Sequence, residues 1–389
     1  MTYDFDTPID RNNTSSFKYD ARQKIFGKDN VIPMWVADMD FAAPPFVIER
    51  MAKRLSHPIL GYTFRDREFD GAIVSWEKKR FGWEIDPSWI SFSPGIVAGL
   101  NHAVQAFTKP GDKILIQSPV YHPFFYAIRQ NSREILTNPL VLRNGAYSID
   151  FEHFEAQLKT GVKMFILCSP HNPVGRVWRK DELQKMAELC LKHKVLIVSD
   201  EIHADIVFAP NKHIPLASIS PEIASETITF GSASKTFNIA GLTTAYAIIS
   251  NSTLLKRYNL QLEQNGTQHG NIFGFEGLKA AYSPEGEEWL EQLLAYLSNS
   301  VNLVGNFLSS KIPEIKLIKP EGTYLLWLDF RELGLNIHEL NRKLIHEAGI
   351  GFNSGEMFGS EGTGFQRMNI GCPYSVVESS LQRLKEVFG

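Results

Sequence analysis

The segment Ser232-Ala233-Ser234-Lys235-Thr236-Phe237-Asn238 sets a lysine among small and hydroxylated neighbours, just after the apolar run 227–230. A lysine desolvated in such a place can lose its proton and condense with an aldehyde as an imine. Upstream, Val198-Ser199-Asp200-Glu201-Ile202-His203 leaves a carboxylate at the exit of another apolar run. Burying that charge is costly without a partner, and a protonated pyridine nitrogen would supply one. Ser169-Pro170-His171-Asn172-Pro173-Val174-Gly175 presents the Asn172 amide from a loop stiffened by two prolines, and Ser93-Pro94-Gly95-Ile96-Val97-Ala98-Gly99 opens a helical stretch. Backbone N–H groups at a helix start can receive a phosphate. Each feature also has a plainer use: Lys235 as an exposed loop lysine, Asp200 as a helix cap, Asn172 as a turn residue, the glycines for close packing. Their order constrains more than any one of them. Asn172 to Asp200 is 28 residues, Asp200 to Lys235 is 35, and Lys235 to Arg367 is 132.

These residues need a scaffold that brings four loops together. The short apolar runs 113–117, 164–168, 195–199 and 227–230 read as strands buried on both faces. Between the second and third, residues 181–194 place Leu183, Met186, Ala187 and Cys190 at helical spacing, with Asp181 set to cap the first turn. Strand, helix, strand is the unit of a parallel sheet, and ligands collect at the carboxyl ends of its strands. Residues 287–308 put Trp289, Leu290, Leu293, Leu294, Leu297, Val301, Val304 and Leu308 on one stripe of a long helix. Beyond it, strand-like runs at 323–330, 351–353 and 366–370 alternate with helical ones around 340–348 and 376–388. The chain therefore divides into an arm over residues 1–45 that joins the smaller domain, a large α/β domain over 46–285, and a small α+β domain over 286–389.

With 389 residues, 43% of them hydrophobic and 21% charged, the chain can bury a large core. A net charge of −3 from 40 basic and 43 acidic residues gives no broad electrostatic footprint for nucleic acid or an anionic membrane. A small-molecule partner is expected. Cys168, Cys190 and Cys372 are too few and too scattered for a disulfide framework or a zinc site, so no metal is expected and reduced cytoplasm is the natural compartment. No secretory leader and no membrane-spanning run is seen.

With Asn172-Pro173, Asp200, Ser232-x-x-Lys235 and Arg367 in this order, the chain resembles the fold type I pyridoxal-phosphate enzymes, the aspartate aminotransferase superfamily, over essentially its whole length. Trp35-Val-Ala-Asp-Met-Asp-Phe41, Gly61-Tyr62-Thr63, the run from Ser169 to Trp178, Ser199-Asp-Glu-Ile-His203 and Ser234-Lys-Thr-Phe-Asn-Ile-Ala-Gly-Leu242 look like its branch of cystathionine β-lyases and cystalysin-type carbon–sulfur lyases. The resemblance implies a mostly parallel seven-stranded sheet beside a smaller α+β domain, and pyridoxal 5'-phosphate as cofactor. It implies that Lys235 carries the cofactor as a Schiff base and serves as the base at Cα. Asp200 would pair with the ring nitrogen, Asn172 with the ring's 3-oxygen, and Tyr121 would stack on the ring as second catalytic residue. Ile96 and Val97, Ser232, Ser234 and Tyr62 from a second subunit would hold the phosphate, which implies a homodimer. His203 would tune the ring or pack in the pocket. Arg367, with Asn172 and Trp35, would take the substrate, its fork gripping the α-carboxylate.

The chain departs from the aminotransferase pattern at two positions. Thr243 stands where many members carry an arginine eight residues after the lysine, and His203 where a tyrosine follows the aspartate. His122 stands where some lyases have a second tyrosine. The reaction the resemblance implies is β-elimination from an S-substituted L-cysteine, cystathionine or cysteine among them, giving a thiol, pyruvate and ammonia. The alternative is transamination between an L-amino acid and a 2-oxo acid. A regulatory protein partner also stays open, and the walls from Trp35 to Phe41, with Tyr324, would decide which thioether is preferred.

Overall fold

The computed structural model describes residues 2–389. Its largest sheet has seven strands in the order Ile90–Ser93, Ala245–Ile248, Thr227–Gly231, Leu196–Asp200, Met164–Cys168, Lys113–Ile116, Glu134–Thr137. Ala245–Ile248 runs antiparallel to both neighbours and every other pairing is parallel. The four strands read from the sequence are all in this sheet, each displaced by a residue at most, while Ile90–Ser93, Glu134–Thr137 and Ala245–Ile248 were not among them. Met164–Cys168, Leu196–Asp200 and Thr227–Gly231 are buried at every position, as strands covered on both faces must be. Register puts Cys168 beside Asp200 and Asp200 beside Phe230. Three parallel strands thus end level, and the loops carrying Asn172, Asp200 and Lys235 emerge along one edge. Ala245–Ile248 enters the sheet at that same edge because it runs the other way, which brings Thr243 and Thr244 there too.

Helix Ile96–Phe107 leaves this edge after Gly95, whose φ of +115° suits glycine and few other residues. Gly99 serves the plainer purpose of close packing: a Cβ there would lie 2.5 Å from Phe230 and 2.6 Å from the Ser93 hydroxyl. The helix expected from Asp181 spans Lys180–Lys192, and its cap is different. Arg179 is the N-cap residue and its backbone N–H donates to the Glu182 carboxylate at 2.9 Å, whereas Asp181 sits inside the first turn and pairs with the Arg179 side chain. Within the first turn, the carboxylate three residues past the cap is the one placed to reach back to the cap's N–H.

Helix Pro284–Lys311, capped by Ser283, buries the predicted stripe except Leu294 and Val301, which are half-buried, and packs on Tyr374–Phe388. A second, antiparallel sheet follows in the order Lys316–Ile318, Leu325–Asp329, Phe365–Asn369, Asn353–Ser354. The expected run 351–353 is instead two short strands, Ile350–Gly351 and Asn353–Ser354, and the second of them joins this sheet. The first pairs with Ile32–Pro33, so the polar N-terminal segment is tied to the far end of the chain. No helix among the described residues is long and apolar enough to cross a membrane.

Candidate functional site

A cavity of about 210 Å³ opens at the strand edge where the four loops converge. Lys235, Asp200, Asn172, Tyr121, His203, Ser234, Ile96 and Val97 all line it. Lys235 donates from Nζ to the Ala37 carbonyl at 2.6 Å. Burial pulls its amine down to about 8, opposed by Asp38 and Asp200 and assisted by Arg367. A lysine near that value holds a large neutral fraction at physiological pH, as a nucleophile or base requires. Asp200 shows the complementary effect, for burial lifts its carboxyl to about 7 although it accepts from the Ile202 N–H at 3.2 Å. It is a carboxylate short of a cation. Tyr121 is pushed up to about 12, first by burial and then by Asp200, so its hydroxyl keeps its proton. His203 is driven down to about 3 by burial and by Lys235 and Arg367, so its ring is neutral. Its Nδ1 has no partner, and its ring meets Tyr324 edge-on at 5.9 Å.

Arg367 lies inside the strand Phe365–Asn369 and is 3% exposed, so it is no solvated strand-end residue. Nη1 donates to Asn172 Oδ1 at 3.0 Å, and Nη2 to Asn353 Oδ1 at 2.6 Å and the Trp35 carbonyl at 2.8 Å. The guanidinium stands 4.9 Å from the Phe358 ring centre. All these partners are neutral, Nε is unpartnered, and burial lowers the group to about 10. A buried cation that meets only neutral acceptors is incomplete without an anion. With its oxygen committed to Arg367, the Asn172 amide is left to donate into the cavity. The site therefore offers one end suited to a carboxylate, one neutralisable amine, one carboxylate suited to a cationic ring nitrogen, and a helix N-terminus suited to a phosphate.

The aminotransferase class I and II family model matches residues 29–384. The chain belongs to this family. It is 43% identical to cystathionine beta-lyase PatB of Bacillus subtilis over 382 residues, 98% of either protein. The crystal structure of cystalysin from Treponema denticola, which contains a pyridoxal 5'-phosphate cofactor, superposes with a TM-score of 0.97 at 39% identity, covering 100% of this chain and 99% of that one. The PLP-bound C-S lyase from Staphylococcus hominis gives 0.93 at 35%, covering 100% and 98%.

Two residues expected at the family's site, Trp35 and Ser232, are placed differently. The Trp35 ring packs with Phe17 and Phe26 at 5.0 and 5.6 Å and donates to the Lys18 carbonyl at 3.1 Å, so it does not line the cavity. Only its backbone oxygen reaches the site, on Arg367. The Ser232 hydroxyl is spent internally: it donates to the Thr244 carbonyl at 2.8 Å and accepts from the Ser234 N–H at 3.1 Å. It shapes the loop and leaves Ser234, Thr243 and Thr244 to face the cavity. Tyr62 is fully exposed and lies in a separate groove with residues 269–273. His122 lines a third hollow, its ring 5.4 Å from Tyr121 and its pKa lowered to about 4 by burial and Arg367. Residue types and spacing pointed little to the Ala37 carbonyl, Asn238, Asn353 or Phe358. Asn238 alone carried a signal, three residues after Lys235 in a segment already singled out. Among the described residues no cluster of His, Cys, Asp or Glu could hold a metal ion.

Proposed function

We propose that this chain is a pyridoxal-phosphate-dependent carbon–sulfur β-lyase acting on S-substituted L-cysteines, cystathionine or cysteine among them, and releasing a thiol, pyruvate and ammonia. The observation that carries this reading is the pairing, in one cavity, of a lysine lowered to about 8 with a buried carboxyl raised to about 7 that lacks a cation. A phosphorylated pyridine aldehyde fits those needs: the amine for its aldehyde, Asp200 for its ring nitrogen, the Asn172 amide for its ring oxygen, and the start of the helix Ile96–Phe107 with Ser234, Thr243 and Thr244 for its phosphate. Bound there, the cofactor supplies an electron-withdrawing ring that stabilises negative charge at the substrate Cα.

The chain's own residues do the rest. Arg367 holds the α-carboxylate with the fork that Asn172, Asn353 and the Trp35 carbonyl aim. Lys235, as the neutral amine, takes the proton from Cα and holds it at Nζ. Asp200, unprotonated once it faces a cation, fixes charge on the ring side of the cavity. Neutral His203 adds no positive charge that would compete with it. The Tyr121 hydroxyl remains a donor, available to the departing sulfur side. Thr243 offers a hydroxyl in place of the guanidinium many aminotransferases use, while the Thr244 hydroxyl donates to the Leu242 carbonyl at 3.0 Å, so the helix start bears more of the phosphate's charge.

The two sheets then form the lobes of one enzyme, residues 46–285 binding the cofactor, residues 286–389 presenting Arg367, and the arm 1–45 joining the smaller lobe. Supporting a homodimer, Ile59, Leu60, Tyr62 and Phe64 stand exposed together on one segment, an arrangement that suits Tyr62 to a neighbouring subunit's phosphate. Three buried free cysteines agree with a cytoplasmic enzyme. The test is to incubate the holoenzyme with cystathionine, and separately with an amino acid lacking a leaving group plus 2-oxoglutarate. Pyruvate should form in the first, and rapid glutamate formation without pyruvate would replace the lyase reading with transamination.

A further inference from the structure

Residues 35–41 form an irregular strap whose carbonyls, having no sheet or helix to satisfy them, are taken up by side chains from the site. Trp35 O accepts from Arg367 at 2.8 Å, Val36 O and Asp38 O from Asn369 Nδ2 at 2.5 and 2.7 Å, and Ala37 O from Lys235 at 2.6 Å and the Tyr324 hydroxyl at 3.0 Å. Asn238 grips the next stretch from both sides. Its Oδ1 accepts from the Met39 N–H at 2.9 Å, and its Nδ2 donates to Met39 O at 2.9 Å and Phe41 O at 2.7 Å. Its φ of +54° lies in the left-handed region, which asparagine tolerates better than most residues. Asp38 and Asp40 on the strap are paired with Arg11 and Lys18. The strap therefore has a fixed height above the Lys235 loop, held on one side by Asn369 and Tyr324 and on the other by an amide three residues beyond the lysine.

We infer that Asn238 is a positioning residue for Lys235: by gripping Met39 and Phe41 it holds the Ala37 carbonyl on the lysine amine, aiming that amine and stabilising it once protonated. This rests on the reading of Lys235 as the base. The charged and titratable groups facing the amine are Asp38 on the strap, Asp200 on its strand, Arg367 from the second sheet and His203, with Tyr324 sharing the Ala37 carbonyl. Changing Asn238 replaces none of them; Asp38 moves with the strap, and its withdrawal acts on the amine in the same direction as loss of the Ala37 carbonyl. An ammonium that loses a carbonyl acceptor is less stable, so the amine should give up its proton at lower pH.

The test uses N238G, which keeps the left-handed backbone without the amide, and N238S as a second variant. In the cofactor-free full chain, the pH dependence of Lys235 acetylation by acetic anhydride, read by peptide mass spectrometry, gives the amine's midpoint. That midpoint should fall by about one pH unit in both variants, since a hydrogen bond to a charged group carries roughly that weight. In the holoenzyme, kcat should fall about tenfold with KM within about twofold, the pattern of a lost transition-state aim. An unchanged midpoint in the variants, even with a lowered melting temperature, would overturn the inference and leave Asn238 a loop anchor only. The acetylation midpoint is independent of which reaction the enzyme runs, so failure of the lyase reading would show separately, in wild-type product analysis.

Discussion

On the edge of the large sheet, Lys235 has a single acceptor, the Ala37 carbonyl, and burial draws its amine to about 8. On the small sheet, Arg367 has three oxygen acceptors and an aromatic face, and burial draws it only to about 10. Both are basic groups deprived of water, and each makes the other's charge more costly. The difference lies in starting chemistry, because burial lowers the two by a similar amount. A delocalised guanidinium with several oxygens stays charged and can hold a carboxylate, while an amine with one oxygen can change charge within the range where an enzyme works. Burial alone assigns neither duty.

That contrast can be broken most sharply at its switchable member. Lys235→Ala should lower lyase turnover by about 10⁴-fold and remove the visible absorption of lysine-bound cofactor; an unchanged band would misassign the lysine. At the fixed member, Arg367→Lys keeps the charge and loses the fork, so KM for the amino acid should rise roughly 100-fold, about 2–3 kcal/mol, with a smaller change in kcat. Steady-state kinetics separates the two.

Asp200 sharpens the comparison through pH. Its folded-state pKa is raised, so the stability it contributes is complete below its unfolded pKa near 3.8 and is lost as pH rises through about 7. Cofactor-free Asp200→Asn should therefore be more stable than wild type at neutral pH by on the order of a few kcal/mol and show a flatter profile between about pH 4 and 7 in urea titrations. A wild-type profile that stays flat across that interval would show the carboxyl to be unperturbed. The smallest effect is expected at Trp35. Because the backbone oxygen, not the ring, meets Arg367, Trp35→Phe should leave KM within about twofold and cost about 1 kcal/mol of stability through the lost bond to the Lys18 carbonyl. A large rise in KM would place the ring in substrate binding after all.

Side chains at strand ends were the legible part of this molecule. Lys235, Asp200 and Asn172 each follow a short, largely apolar run, and the spacing between runs left room for one helix or loop, so a parallel sheet and a site at its strand ends could be inferred together. Groups whose chemistry resides in the backbone were not legible. The Ala37 and Trp35 carbonyls have no residue type to betray them, and Trp35 drew notice for a ring that turns away. Ser232 misled for the opposite reason: its hydroxyl is chemically apt, but the antiparallel strand beside it offers the Thr244 carbonyl first. Asp181 was misread as a cap because a helix start written in sequence does not show which nearby carboxylate reaches back.

The strap ties the two ends of the polypeptide together, for Val36 and Asn369 are bonded across 333 positions. Its timetable during synthesis follows from that distance. The seven-stranded sheet is complete in sequence by Ile248, and Asn238 can grip Met39 and Phe41 from then on, yet Val36 and Asp38 gain their Asn369 anchor only when the strand Phe365–Asn369 has left the ribosome. A half-made chain thus holds the strap over its reactive amine from one side alone. The last stretch translated is what finishes a centre whose parts were made long before.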